Sequence, residues 1–214
     1  MQIAIIGAGN VGRALASSLT KAGHDVTVAA PHNEHAREAA AQTGAVAAPS
    51  LEAGLTDADL VVLAVPATAH DELAEEIGDA LAGKVVVDVA NRPTPPIDGP
   101  ATSIAEELQA RLPNASVVKA FNTVFATRQA NPQLGGVTAD GFVAADDAKA
   151  KQTVLEIVES IGFRPVDAGS LAAARTLEGM AWLNMTHAMA GGTWQDAWVI
   201  VGPDSISTDP SSRN

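Results

Sequence analysis

A glycine-rich turn near the start of the chain separates an apolar run from a helical pattern. Residues 2–6 form a short run typical of a buried parallel strand, and residues 13–22 have the pattern of a helix. In a G-x-G-x-x-G turn placed this way, the three glycines permit a tight turn, a close approach to a pyrophosphate, and close packing of helix on strand. The turn therefore predicts a dinucleotide site at the start of the helix. The residues that we assign to this site are Gly7, Gly9, Asn10, Val11 and Gly12.

Strand and helix patterns alternate along the first two-thirds of the chain, which predicts an α/β protein with a doubly wound parallel sheet of the Rossmann type. The further predicted strands are residues 25–29, 45–48, 60–65, 84–89, 116–120, 141–144 and 164–167. The further predicted helices are residues 33–43, a short one capped by Ser50, 71–81, 102–112, 147–161 and 171–189. Residues 91–100 contain four prolines and are expected to be a loop.

The same patterns suggest a division of the chain. We expect a dinucleotide-binding domain at residues 1–168, a small helical lobe for substrate binding or dimerisation at 169–203, and a flexible tail at 204–214. The tail is expected to be frayed because it is polar and rich in serine.

Charge and composition limit the partners of this chain. Its formal net charge of −12 disfavours binding to nucleic acid or to an anionic membrane surface. The absence of cysteine excludes disulfides and thiolate chemistry, and the five histidines lack metal-ligand spacing, so we expect no metal. Because the first strand starts at residue 2 and no apolar run approaches about 20 residues, we expect a cytoplasmic protein without a signal peptide.

The end of the second predicted strand bears on the choice between NADP and NAD. In NAD enzymes of this class, an acidic residue about 20 residues after the glycines binds the ribose hydroxyls. Here the corresponding residues are Ala30, Pro31 and His32. Because no carboxylate stands there to repel a 2′-phosphate, NADP is favoured, with NAD as the alternative. The candidate donors are His32, Asn33 and His35, although both histidines could instead be exposed loop residues.

Polar and apolar residues follow three of the predicted strands at the edge where open sheets bind ligands. These residues are Val65, Pro66, Ala67, Asn91, Phe121, Asn122 and Thr123. We expect them to face the nicotinamide, where the asparagines could orient an amide or a substrate or could instead cap turns. No set of catalytic side chains stands out, which is compatible with hydride transfer because the cofactor supplies that chemistry.

Three tryptophans lie within seventeen residues near the carboxyl end of the chain: Trp182, Trp194 and Trp198. The chain has four phenylalanines and no tyrosine, so these side chains hold much of its large flat surface. They could stack on a planar substrate, or they could pack in the core or at a dimer interface.

Four segments resemble, in order, a known family: residues 7–12, 117–123, 162–169 and 174–178. They are similar to the NADPH-dependent reductases of the deazaflavin coenzyme F-420, in the wider group that includes the ferric-reductase domain of the Steap proteins. The resemblance implies a Rossmann domain with a small carboxyl-terminal lobe, often as a homodimer. It also implies that NADP lies across the glycine turn and that a small-molecule hydride acceptor lies between the nicotinamide and the lobe.

By position, the resemblance implies specific contacts. The glycine turn would hold the pyrophosphate, Val65, Pro66, Ala67 and Asn91 would border the nicotinamide, and residues 120–123 would line the acceptor pocket, to which we add Trp194. Family members often carry Ser-Arg-Arg after the second strand, where this chain has residues 30–32 of different type.

We therefore expect an NADP-dependent oxidoreductase that transfers a hydride between NADPH and a planar acceptor such as F-420. One alternative is a non-catalytic dinucleotide sensor or regulatory protein. Another is an imine or carbonyl reductase, which needs a proton donor, and the acids that we consider for this role near the lobe are Asp167 and Glu178, both of which could instead be structural.

Overall fold

An eight-stranded, mostly parallel sheet forms the centre of the computed structural model, which describes residues 1–92 and 102–202. Its strands are β1 (Gln2–Ile6), β2 (Asp25–Ala29), β3 (Val46–Ala47), β4 (Leu60–Leu63), β5 (Val85–Asp88), β6 (Ser116–Ala120), β9 (Asp140–Ala145) and β10 (Arg164–Gly169). Strands β7 (Gln133–Leu134) and β8 (Val137–Thr138) form a separate hairpin. The order across the large sheet is β10-β9-β6-β5-β4-β1-β2-β3.

The helices that cover this sheet follow its strands along the chain. They are α1 (Asn10–Lys21), α2 (Asn33–Thr43), α3 (Leu51–Leu55), α4 (His70–Ile77), α5 (Ile104–Arg111), α6 (Ala126–Gln129), α7 (Ala148–Ser160) and α8 (Ala174–Met189). Short 3₁₀ turns precede α4 and α8 and follow α4. Ser50 caps α3 as predicted, because its hydroxyl accepts a hydrogen bond from the Ala53 N–H at 3.2 Å.

The strand order confirms the predicted doubly wound sheet, since β1 lies between β4 and β2 and the chain winds outward in both directions from it. One pairing departs from the parallel pattern: β9 runs antiparallel to β6. The connection between these strands holds only α6 and the β7–β8 hairpin. A parallel pairing needs a crossover to the opposite edge of the sheet, and this connection returns to the sheet from the edge at which β6 ends.

The central strands are buried on both faces, which explains their continuous apolar sequences. Every residue of β4 is buried, and one hydrophobic core lies on each side of the sheet. Leu15, Leu19 and Val154 belong to one core, and Leu73 and Leu108 to the other.

The observed elements differ from the predicted ones mainly at their ends. Helix α1 begins at Asn10 rather than at residue 13, and α4 ends at Ile77 before a 3₁₀ turn. Helix α6 and the β7–β8 hairpin were not predicted, because four-residue and two-residue elements have too little periodicity to be recognised. Residues 93–100 of the predicted loop and the tail at 204–214 lie outside the described residues.

Candidate functional site

The glycine turn closes tightly over the ends of three strands. The Gly7 N–H donates to the Ala29 carbonyl at 2.8 Å, and the Ala64 N–H donates to the Ile6 carbonyl at 2.8 Å. Gly7 has a φ of +117°, and a Cβ on it would lie 2.4 Å from the Ala64 oxygen. A Cβ on Gly12 would lie 2.0 Å from the Gly7 oxygen. Both positions therefore require glycine for the fold itself.

Gly9 differs from the other two glycines because a Cβ added to it would meet no heavy atom within 4 Å. Its φ of −76° is also open to any residue, so neither strain nor packing inside the protein requires glycine here. Gly9 and Asn10 are exposed at the start of α1, whose first turn carries no acidic side chain. The first backbone N–H groups of a helix have no partner within the helix, so those of this exposed turn can donate to a phosphate.

Arg13 fastens the turn to the neighbouring helix. Its Nε donates to the Ala8 carbonyl at 2.8 Å, and Nη1 donates to Gln42 Oε1 at 2.7 Å. Its Nη2 lies 3.3 Å from Glu38 Oε2. The charge of Arg13 is therefore used within the protein rather than offered to a ligand.

The residues after β2 lie at the edge of the turn. Ala30 is buried, whereas Pro31 and His32 are exposed, and the His32 and His35 rings meet edge to face with centroids 5.6 Å apart. Asn33 donates from Nδ2 to the Ala48 carbonyl at 2.6 Å and thereby holds β3. Of the three candidate donors to a 2′-phosphate, His32 and His35 are therefore accessible to a ligand, whereas the amide group of Asn33 is used in a contact within the protein.

The residues predicted to border the nicotinamide follow β4 and β5. Pro66 is exposed, and Val65, Ala67 and Asn91 are partly buried. Asn91 Nδ2 donates to the Asn122 carbonyl at 3.0 Å, which joins the ends of β5 and β6.

The segment after β6 holds α8 against the sheet. Asn122 Nδ2 donates to Asn91 Oδ1 at 2.9 Å and to the Leu177 carbonyl at 3.0 Å, which leaves its buried Oδ1 without a partner among the described residues. Asn184 Nδ2 donates to the Thr123 carbonyl at 3.2 Å. Phe121, Asn122 and Thr123 are all buried. Their side chains therefore lie in the protein interior next to the candidate site and do not project into it.

Phe121 adopts a φ of +60°, which is the only positive φ at a non-glycine residue in the described part of the chain. Its carbonyl accepts a hydrogen bond from Gln129 Nε2 at 2.8 Å, and the Gln129 carbonyl accepts one from the Ser18 hydroxyl. These buried contacts hold the left-handed conformation, which costs about 1 kcal/mol or more in a non-glycine residue.

The three tryptophans lie in different settings. Trp194 is 53% exposed, packs against Phe125 with ring centroids 5.1 Å apart, and accepts a hydrogen bond from Thr127 Oγ1 at its carbonyl. Trp182 and Trp198 are partly buried, and their buried Nε1 atoms have no hydrogen-bond partner within residues 1–92 and 102–202. Trp198 lines a cavity of about 550 Å³. The other residues that line this cavity are Leu134, Leu183, Asn184, His187, Asp196 and Ala197.

A buried charged cluster that the sequence analysis did not predict lies beneath the ends of β5 and β6. Lys119 is fully buried, and its Nζ donates to Asp88 Oδ2 at 2.9 Å, to Glu178 Oε1 at 3.1 Å and to the Ala90 carbonyl at 2.5 Å. Asp88 also accepts from the Ala90 N–H at 2.8 Å. A lysine inside an apolar strand that is buried on both faces must have buried partners of opposite charge. The position of Lys119 in such a strand was therefore the feature of the sequence from which the cluster could have been predicted.

The two acids considered as proton donors have protein partners. Asp167 lies 3.0 Å from Lys151 Nζ and accepts from the Gly169 N–H, which lowers its pKa. Glu178 belongs to the buried cluster, and burial raises its pKa. Within residues 1–92 and 102–202, no group of three or more acidic or histidine side chains could hold a metal, and no helix could span a membrane.

The donor set fits a dinucleotide. The uncapped start of α1, an exposed Gly9 surrounded by open space, and the absence of carboxylates from residue 26 to residue 33 suit the phosphates of NADP. These features lie beside β1 and β4, where the strand order of the sheet reverses. Open α/β folds bind their ligands at this topological switch point.

Comparison with known proteins identifies a matching family and similar reductases. Residues 2–92 match the model of a family described as coenzyme F420-dependent NADP oxidoreductase. The chain is 33% identical over 178 residues to metalloreductase STEAP3 of Rattus norvegicus, which covers 83% of this chain and 36% of that protein. The chain thus spans about a third of the length of the curated relatives it matches.

Two solved structures cover most of this chain. One, from Arthrobacter sp. FB24, is described as a candidate F420-dependent NADP reductase and has a TM-score of 0.83 at 28% identity, over 94% of this chain and 99% of that one. The other is a hypothetical protein from Sinorhizobium meliloti, with a TM-score of 0.67 at 34% identity, over 81% of this chain and 87% of that one.

Proposed function

Because the chain belongs to the coenzyme F420-dependent NADP oxidoreductase family, we propose that it is an enzyme that transfers a hydride between NADPH and a planar acceptor such as a deazaflavin. The observation that carries the proposal is the glycine turn. Gly7 and Gly12 are required by internal packing, but Gly9 is required by nothing inside the protein. The pyrophosphate of a bound dinucleotide would occupy the open space at Gly9, which gives a reason for glycine at this position.

The site residues have positioning roles in this proposal. Bound NADPH supplies the hydride, and the chain aligns it with the acceptor. The start of α1 holds the pyrophosphate, and Val65, Pro66, Ala67 and Asn91 border the nicotinamide half. Asn122 joins the ends of β5 and β6 to the start of α8 and thereby fixes the edge against which the nicotinamide half lies.

The acceptor is proposed to lie on the α8 side of this edge. The cavity of about 550 Å³ beside Asn184 is within the usual size of small-molecule sites and is lined mainly by apolar side chains. Asn184 connects the cavity to Thr123, which follows β6. The exposed Trp194 ring, fixed by Phe125, offers a flat surface at the same end of the chain.

The direct test mixes the purified protein with NADPH and coenzyme F420 and follows the absorbance of both. Turnover with F420 supports the proposal. Tight NADPH binding without turnover on F420, flavins or other planar acceptors refutes it and favours a dinucleotide sensor.

Trp194→Ala tests the location of the acceptor. We expect the KM for the acceptor to rise several-fold in this variant, with little change in the Kd of NADPH. Trp194→Phe retains an aromatic ring, so its acceptor KM should lie between those of the wild type and Trp194→Ala. An unchanged KM in Trp194→Ala would exclude this ring from the acceptor site.

We also propose that two copies of the chain associate through the last helix and the segment after it. Large apolar side chains are exposed there: Leu183, Met189, Trp194, Ile200 and Val201. Exposed apolar surface of this kind is typical of protein interfaces. Light scattering of the wild type and Leu183→Glu tests this, with a dimer and a monomer expected, respectively. A monomeric wild type would refute the association.

A further inference from the structure

The cluster around Lys119 contains more acidic than basic groups. Asp88 and Lys119 are fully buried and the Glu178 side chain is 5% exposed. Two carboxylates against one ammonium give one net negative charge when Glu178 is ionised, and none when it is protonated. Arg92 lies 4.0 Å from Glu178 Oε2, but it is already paired with Glu107 at 2.6 Å and does not alter this balance.

Glu178 is the member of the cluster whose surroundings favour the protonated form. Its Oε1 accepts from Lys119 Nζ and from the Ile104 N–H at 2.9 Å, while its Oε2 faces only the distant Arg92 guanidinium. Burial raises the pKa of Glu178, and the charge of Asp88 raises it further, against the opposing effect of Lys119. The titration of Glu178 is thereby moved toward neutral pH.

One other titratable side chain faces the cluster. His70, at the start of α4, places Nε2 3.9 Å from Asp88 Oδ1, and neither ring nitrogen has a hydrogen-bond partner among the described residues. Burial lowers the pKa of His70, which favours its neutral form. His70 therefore adds no charge at neutral pH.

The cluster is attached directly to the edge proposed for the nicotinamide. Lys119 Nζ binds the carbonyl of Ala90, the neighbour of Asn91, and Lys119 itself lies three residues before Asn122. Asn91 and Asn122 are joined by two hydrogen bonds at this edge. A change of charge in the cluster therefore occurs close to whatever binds there.

We propose that the ionisation of Glu178 is coupled to the charge of the nicotinamide ring, so that the ionised cluster favours NADP⁺ over NADPH. The inference rests on the proposed function. The ring carries a positive charge in NADP⁺ and none in NADPH, whereas the phosphates are common to both. A buried negative charge nearby stabilises the oxidised ring, and NADP⁺ in turn favours release of the Glu178 proton. The two equilibria are linked reciprocally.

The test measures the Kd of NADP⁺ and of NADPH by titration calorimetry between pH 5 and pH 8.5. Because both nucleotides carry the 2′-phosphate, its titration cancels in the ratio of the two constants. We expect the Kd of NADP⁺ to fall relative to that of NADPH as the pH rises, by on the order of tenfold, which lies within the usual range of coupling between two linked equilibria.

Variants assign the effect. Glu178→Gln should make the ratio independent of pH, and His70→Asn should leave the wild-type dependence. Glu106→Gln is a matched control, because it breaks a different ion pair of α8, that between Arg175 and Glu106 of α5. Its ratio should follow the wild type. Retention of the pH dependence in Glu178→Gln, or its loss in His70→Asn, would overturn the assignment to Glu178.

A second measurement needs no variant. NADP⁺ added to the wild-type protein in weakly buffered solution near neutral pH should release protons, and NADPH should release fewer. Equal release by the two nucleotides, or a ratio that does not vary with pH while both bind, would refute the coupling and leave the proposed function intact. Failure of both nucleotides to bind would refute the proposed function and the coupling with it.

Discussion

Substitution of Gly9 should separate ligand binding from folding. In Gly9→Ala the new methyl group meets no protein atom within 4 Å, and the backbone conformation is open to alanine. Loss of unfolded-state entropy favours the variant by about 0.4–1 kcal/mol. The poorer N-cap preference of alanine opposes this by a similar amount. We therefore expect the free energy of unfolding to change by less than about 1 kcal/mol, or about 3 °C in Tm.

The effect of Gly9→Ala on NADPH should be large. The methyl group occupies the open space at the start of α1, so in the proposed site the pyrophosphate cannot approach the N–H groups of that turn. Loss of about two charge-assisted hydrogen bonds corresponds to a weakening of the Kd by roughly 100-fold.

Gly12→Ala is the contrasting variant, because its Cβ would lie 2.0 Å from the Gly7 oxygen. Such overpacking forces α1 away from the turn and costs about 1–3 kcal/mol or more, equivalent to a fall in Tm of about 3–10 °C. Thermal unfolding followed by circular dichroism, together with calorimetric titration of NADPH, measures both quantities. Unchanged NADPH binding in Gly9→Ala, or a loss of stability as large as that of Gly12→Ala, would refute this reasoning.

Three further predictions concern stability and cofactor choice. Lys119→Met should leave two buried carboxylates without their cation and lower the free energy of unfolding by about 3–5 kcal/mol, measured by urea denaturation; a change under about 1 kcal/mol would contradict a buried cluster. Arg175 lowers the pKa of Glu106 to about 2, so this pair stabilises the fold above about pH 4.5 and less as the pH falls toward 2. Because Arg175 is half exposed, the difference in Tm between wild type and Arg175→Ala should be small, and it should shrink further in acid. A difference that stays constant with pH would argue against the pair. His32→Ala should weaken NADPH more than NADH in binding titrations, whereas equal effects would exclude a contact with the 2′-phosphate.

Much of the fold follows from local patterns. The runs at β1 and β4 are apolar because these strands are buried on both faces, so the pattern and the burial have one cause. The glycines at 7 and 12 are likewise local in origin, since each is required by atoms of the turn or of an adjoining strand end.

The direction of β9 could not be obtained in the same way. Its sequence is compatible with parallel and antiparallel pairing, and the choice depends on a connection that crosses the sheet or returns to it. The contacts of Asn122 and Lys119 with α8 also depend on residues more than 50 positions away. Sequence spacing carries no information about such contacts, although a lysine in a buried strand indicates that they exist.

The reversed direction of β9 and β10 determines where the last helix goes. In a wholly parallel sheet, the helix after the final strand runs back from the ligand-binding edge. Here α8 starts from the opposite direction, passes Lys119 at Glu178, and reaches Thr123 beyond the end of β6 at Asn184. Helix α8 therefore brings the residues after Met189 to the edge at which β6 ends, where Trp194 contacts Thr127 and Trp198 contacts Asp140. If the proposed site is correct, substitutions in that final segment should alter the choice of acceptor and leave the strand pairings unchanged.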